Sequence, residues 1–120
     1  MSAAAMILAV ALASASPAPA ARAPEQRQTL VDLAYVLGEA HALRAVCQGE
    51  EDQSWRTRMT RMIEVEKPDT AFRRRLIDSF NAGFVSRQAA TRACDEGAAA
   101  QERGVAARGR GLAQRLAGRP

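Results

Sequence analysis

The sequence predicts an all-α domain with three main helices, a weaker C-terminal helix and one closing disulfide. Three observations predict it. Apolar residues in the body of the chain recur at steps of three and four, and no alternating apolar-polar run of the strand type appears. Pro68 is the only proline in mid-chain. Two cysteines, Cys47 and Cys94, stand in a short chain whose opening has the form of an export signal.

The opening sets the compartment. Ala3 to Ala13 is an unbroken apolar run, shorter than the roughly twenty residues a membrane-spanning helix needs, and Pro17 and Pro19 prevent its extension. Small residues then form the peptidase-like patterns Ala13-Ser14-Ala15 and Ala18-Pro19-Ala20. No Lys or Arg precedes Arg22, so the amino terminus alone supplies the positive charge of the leader. Residues 1–20 are expected to be a signal peptide, with the mature chain beginning near Ser16 or Ala21 in the periplasm or outside the cell. No transmembrane helix is expected after processing. The expected division is 1–20 signal peptide, 21–97 helical domain and 98–120 basic C-terminal helix or tail.

The first helix of the domain opens at Pro24-Glu25, where proline suits the first turn and an acid suits the positive helix end. Leu30, Leu33, Ala34, Leu37 and Ala40 recur at helical spacing, and Gly49 is the expected stop. The acids Glu50, Glu51 and Asp52 are expected to start the second helix, whose apolar stripe is Trp55, Met59, Met62 and Ile63. Arg56, Arg58 and Arg61 fall off that stripe. The residue before a proline is biased away from helix, which puts the break at Lys67, with Asp69 or Thr70 as the next cap. Phe72, Leu76, Phe80 and Phe84 then carry the longest helix, expected to reach Cys94. Gly83 sits inside it at a cost of about 1 kcal/mol relative to alanine, which suggests close approach by another helix. Ala98, Val105, Leu112 and Leu116 form a thin fourth stripe broken by Gly104, Gly109 and Gly111. That weakness predicts a body able to stay folded without residues 98–120.

The net charge of +4 has a location. The twelve basic and twelve acidic residues from Ala21 to Glu96 cancel, leaving Arg103, Arg108, Arg110, Arg115 and Arg119 against Glu102. Such a tail is either a solvated, frayed segment or one suited to an anionic surface such as lipid, lipopolysaccharide, acidic protein or cell-wall polymer. A neutral body and the lack of aromatics among the arginines argue against nucleic acid.

Two cysteines in a small exported chain are most simply one disulfide; two free thiols and an intermolecular bridge are the alternatives. As a helical residue, Cys94 would lie roughly 40° round the wheel from Phe72, facing the core. Arg44 falls within the apolar arc of the first helix, with His41 at its edge, and Arg87 lies about 20° from Phe80 on the third. A guanidinium there snorkels to solvent, finds a carboxylate partner, with Glu64, Glu66, Asp78 and Asp95 available, or holds an anionic ligand. Asn81 poses the same choice, since a helix interior suits asparagine only when its amide finds a partner. Trp55 and Met59 are core residues or an exposed partner-binding stripe. Catalytic patterns are absent: there is no G-x-S-x-G, P-loop or H-E-x-x-H. Glu64 and Glu66, two apart, point in different directions on a helix. His41 is the only histidine, which excludes a histidine-rich zinc site; no metal or cofactor is expected.

The run Leu37-Gly-Glu-Ala-His-Ala-Leu-Arg44-Ala-Val-Cys47, then Trp55-Arg56 and Met59, Phe80-Asn81-Ala-Gly83-Phe84, Arg87 and Cys94 resembles a family of small exported alphaproteobacterial proteins known only as a domain of unknown function. The resemblance covers roughly residues 27 to 100. Where that family often has Tyr after the glycine, this chain has Phe84. The resemblance implies export and a bridge between Cys47 and Cys94, and supplies no activity. On sequence alone the chain reads as a non-enzymatic periplasmic accessory or interaction protein, with an envelope protein as partner and a place in envelope assembly. The alternative is a small helical enzyme or binder acting on an anionic envelope ligand through Arg44, Arg87 and Asn81.

Overall fold

The computed structural model describes residues 22–118; the expected signal peptide and the last two residues lie outside them. Among the described residues four helices occur in order: α1 Pro24–Gln48, α2 Ser54–Glu66, α3 Thr70–Ala90 and α4 Glu96–Leu116. The chain is all-α, and a disulfide joins Cys47 to Cys94. Among the described residues no helix is long and apolar enough to cross a membrane.

The helix ends obey local chemistry. Pro24 begins α1, and the Ala23 amide donates to Gln26 Oε1 at 3.1 Å. Gly49, at φ 89°, lets the chain leave α1. Asp69 caps α3 by accepting from the Phe72 amide at 2.8 Å, and Asp95 caps α4 through the Ala98 amide at 2.8 Å. Lys67 ends α2 in the left-handed region at φ 46°, immediately before Pro68.

Two boundaries differ from expectation. Glu50, Glu51 and Asp52 lie in the turn before α2 rather than in its first turn: Asp52 Oδ1 accepts from the Ser54 amide and hydroxyl, and the helix begins at Ser54. The third helix stops at Ala90, so Cys94 is an exposed linker residue and not a core-facing helical one. The linker turns back so that α4 can also lie on α1, which brings Cys94 beside the end of α1.

α1 is the hub, packing against each of the other three helices, which touch one another far less. One face, Leu30, Ala34 and Leu37, meets Met59 of α2 and Phe72, Leu76 and Phe80 of α3. Another, Val36, Ala40 and Leu43, meets Val105 and Leu112 of α4. A helix apolar on so many sides belongs at the centre. The fourth helix is thus a full partner, 21 residues long like α3, and its stripe closes the second half of the core. That packing argues against a body independent of it, which truncation would test. Arg22 reinforces the same end, donating to both carboxylate oxygens of Glu66 at 2.8 and 3.0 Å and to the Leu116 carbonyl at 3.0 Å.

The crossing of α1 and α3 is backbone against backbone. A Cβ on Gly83 would stand 2.1 Å from the Tyr35 carbonyl oxygen, and one on Gly38 would stand 1.9 Å from that of Phe80. Gly83 therefore does admit a neighbouring helix, and Gly38 is its counterpart across the crossing. Gly83→Ala gains about 1 kcal/mol of helix propensity but must push two helices apart. Overpacking of a core that side chains alone can absorb costs about 1–3 kcal/mol, and backbone yields less readily. The expected result is a melting temperature several degrees below the parent's; an unchanged or higher one would show that the helices do not cross this closely.

Candidate functional site

The residues that the sequence offered for a ligand can now be placed. Glu39 of α1 is buried, 7% of its side chain being exposed. Its carboxylate accepts from Arg87 of α3 through Nη2 and, at 3.2 Å, through Nε. Arg108 of α4 approaches its other oxygen at 3.5 Å. Arg87 Nη1 donates to Gln101 Oε1 at 3.2 Å, and the hydroxyl of buried Thr91 donates to the same oxygen at 3.1 Å. One carboxylate and one amide thus bind α1, α3 and α4 together. Arg44 has its own acids: its Nε donates to Asp52 at 2.8 Å and its Nη1 lies 3.7 Å from Glu102.

Neither arginine uses the acids that the sequence suggested. Of those four, Glu66 holds Arg22 and Asp95 caps α4. Glu39 escapes a reading by apolar arcs because it lies on the side of α1 opposite Leu30, Ala34 and Leu37. The available signal was its isolation: it is the one acid between Tyr35 and Leu43, a stretch otherwise apolar apart from His41. In a helix buried on several sides, such a charge requires a cation.

Asn81 lies apart from both. It precedes Arg87 by six residues on α3, which sets the two about 120° apart round the axis. It lines a groove between α2 and α3 together with Arg56 and Arg73, over Met59, Ile77 and Phe80. Met59 itself is 4% exposed and belongs to the core, whereas Trp55 is half-buried and packs against both core clusters. Among the described residues no three His, Cys, Asp or Glu side chains converge as metal ligands.

His41 is buried rather than at the edge of an apolar arc. Its ring lies 5.3 Å from that of Phe84 and 5.9 Å from that of Phe80, and Nδ1 has no hydrogen-bond partner. Burial pushes its pKa below the ordinary 6.5, the positive charge of Arg56 adds to the effect, and Asp52 opposes it. The unfolded chain therefore takes up the proton first, so stability falls as the pH drops below about 6.5 and levels off once the folded imidazole is itself protonated. Melting temperatures at pH 7.5 and 5.5 should differ in that sense, and His41→Phe should flatten the difference. A parent profile already flat across this range would contradict the burial of a neutral imidazole. Asp52 titrates in a separate window: hydrogen bonds from Ser54, then Arg44, hold its carboxyl down at about 2.

A family model described as a protein of unknown function, DUF2385, matches residues 25–119. The chain belongs to this family. No curated protein and no solved structure matches it. The DUF2385 match extends past residue 100, where the resemblance in sequence ends, and it takes in all four helices. The family's domain therefore includes α4, in agreement with the helix's place in the core.

Proposed function

We propose that this member of the DUF2385 family is an exported, non-enzymatic accessory or interaction protein of the periplasm, of alphaproteobacterial type, serving envelope assembly through a protein partner. The observation that carries this reading is the commitment of Arg44 and Arg87. Each is held by carboxylates of its own chain, Asp52 and Glu102 for one and Glu39 for the other, while Asn81 lies on a separate groove. A ligand recruited by the two arginines would have to displace those internal acids.

Export is supported by the leader pattern and by the bridge between Cys47 and Cys94, which suits an oxidising compartment. The arginines of α4 supply a secondary, salt-sensitive attraction to anionic surfaces, reduced at Arg108 by its approach to Glu39. The test has two parts. Intact mass of the protein from the periplasm of its own host should give a chain beginning near Ser16 or Ala21. Crosslinking in the same periplasm should then trap a discrete protein partner. A chain recovered with Met1 to Ala13 still attached would contradict export, and a chain crosslinked to nothing would contradict the interaction role.

A further inference from the structure

Two arginines without an acid lie elsewhere, on a slot between α2 and α4. α1 contributes Leu33 and Leu37 to it, α2 contributes Trp55 and Met62, and α4 contributes the small residues Ala106, Gly109 and Ala113. Its volume is about 430 Å³, within the range of about 300–1,000 Å³ usual for small-molecule sites. Arg58 and Arg110 stand on the same slot, and among the described residues neither has a carboxylate within ion-pair distance. The Arg58 guanidinium lies over the Trp55 ring, 4.5 Å from its centroid. Trp55 Nε1 is buried and donates to nothing, an unusual state for a buried donor.

The other hollows each carry an acid beside two arginines. The α2–α3 groove adds Glu64 to its arginines, and the hollow between α1 and α4 adds Asp32. The α2–α4 slot has an apolar lining, two cations and no carboxylate.

We propose that this slot binds an aliphatic carboxylate, its hydrocarbon chain lying along Leu33, Leu37 and Met62 and its head group meeting Arg58 and Arg110. Two comparisons select this occupant. The slot spans about two helical turns on α4, from Ala106 to Ala113, or about 10 Å. An extended peptide would lay its own amides and carbonyls against apolar walls, where they find no partners. A hydrocarbon chain has no such groups, and the small residues of α4 leave room for it. The carboxylate supplies the charge that the two guanidiniums lack. This assignment is independent of export and of any protein partner.

Trp55 is the chain's only tryptophan, so its fluorescence reports on the slot directly. The experiment titrates the processed, disulfide-closed chain with dodecanoate below its micelle-forming concentration, with dodecyltrimethylammonium as the same tail on a cationic head and acetate as the head without a tail. The expected result is a saturable change with dodecanoate, binding at least tenfold weaker with dodecyltrimethylammonium, and no response to acetate. Arg110→Gln should weaken dodecanoate at least tenfold, and Ala113→Leu, which fills the slot from an exposed position, should abolish the response. Both variants should melt as the parent does. No saturable response to dodecanoate, an equal response to either head group, or undiminished binding by Ala113→Leu would overturn the assignment.

Discussion

A chain ended at Asp95 is expected to lose its cooperative melting transition. Without α4, Val36 and Leu43 of α1 pass from burial to water. At about 1.5–3 kcal/mol for each such side chain, their exposure alone costs about 3–6 kcal/mol. A domain of this size has about 5–15 kcal/mol in all. Ala40 loses its cover as well, and Glu39 loses the approach of Arg108 and the Gln101 that orients Arg87. The ordering entropy of α4 is recovered on truncation, but α1 cannot close its exposed face by itself. Circular dichroism of the truncated chain on heating checks this. A sharp transition within a few degrees of the parent's would instead make α4 an appendage.

Cys94→Ser is expected to cost about 2–5 kcal/mol, the range for loss of a native bridge from a small disulfide-closed domain. The bond spans 47 residues of chain, from the end of α1 to the linker before α4. On the chain-entropy view a loop of that length is worth about 4 kcal/mol. Position adds to the effect, because Cys94 lies in the linker that turns α4 back onto α1. Loosening that linker loosens the only segment joining α3 to α4. Chemical denaturation of parent and variant measures the difference, and digestion without reductant should release Cys47 and Cys94 as one linked peptide pair. Equal unfolding midpoints would refute the structural role.

Most of the fold was legible because helix stripes and stops are local. The Trp55, Met59, Met62 and Ile63 stripe, the break at Lys67 and the Asp69 cap arise from neighbours in sequence, and the structure has all three. The end of α3 was not legible, since its stopping at Ala90 depends on the path by which α4 returns to α1. The standing of α4 was hidden for a related reason. Its stripe looks thin on its own and gains its weight from a face of α1 that joins Ala40 to Val36 and Leu43, two residues that the first apolar arc did not include. Gly83 could be read as a place of close approach, but Gly38 becomes its counterpart only once the helices cross. The same limit applied to the site. Arg44 and Arg87 were identifiable as charges on apolar arcs, whereas their partners lie on other turns and helices and emerge only from the packing.

The central claim is that the arginines a ligand reading would use are structural. A double-mutant cycle on Glu39 and Arg87 tests it most directly, with Glu39→Gln, Arg87→Met and the pair compared by urea unfolding. Each single change is expected to destabilise the protein, and the two to be coupled by about 1–3 kcal/mol, as for residues in one buried network. Coupling near zero, with Arg87→Met as stable as the parent, would contradict the claim and return Arg87 to the surface as a cation available to a ligand.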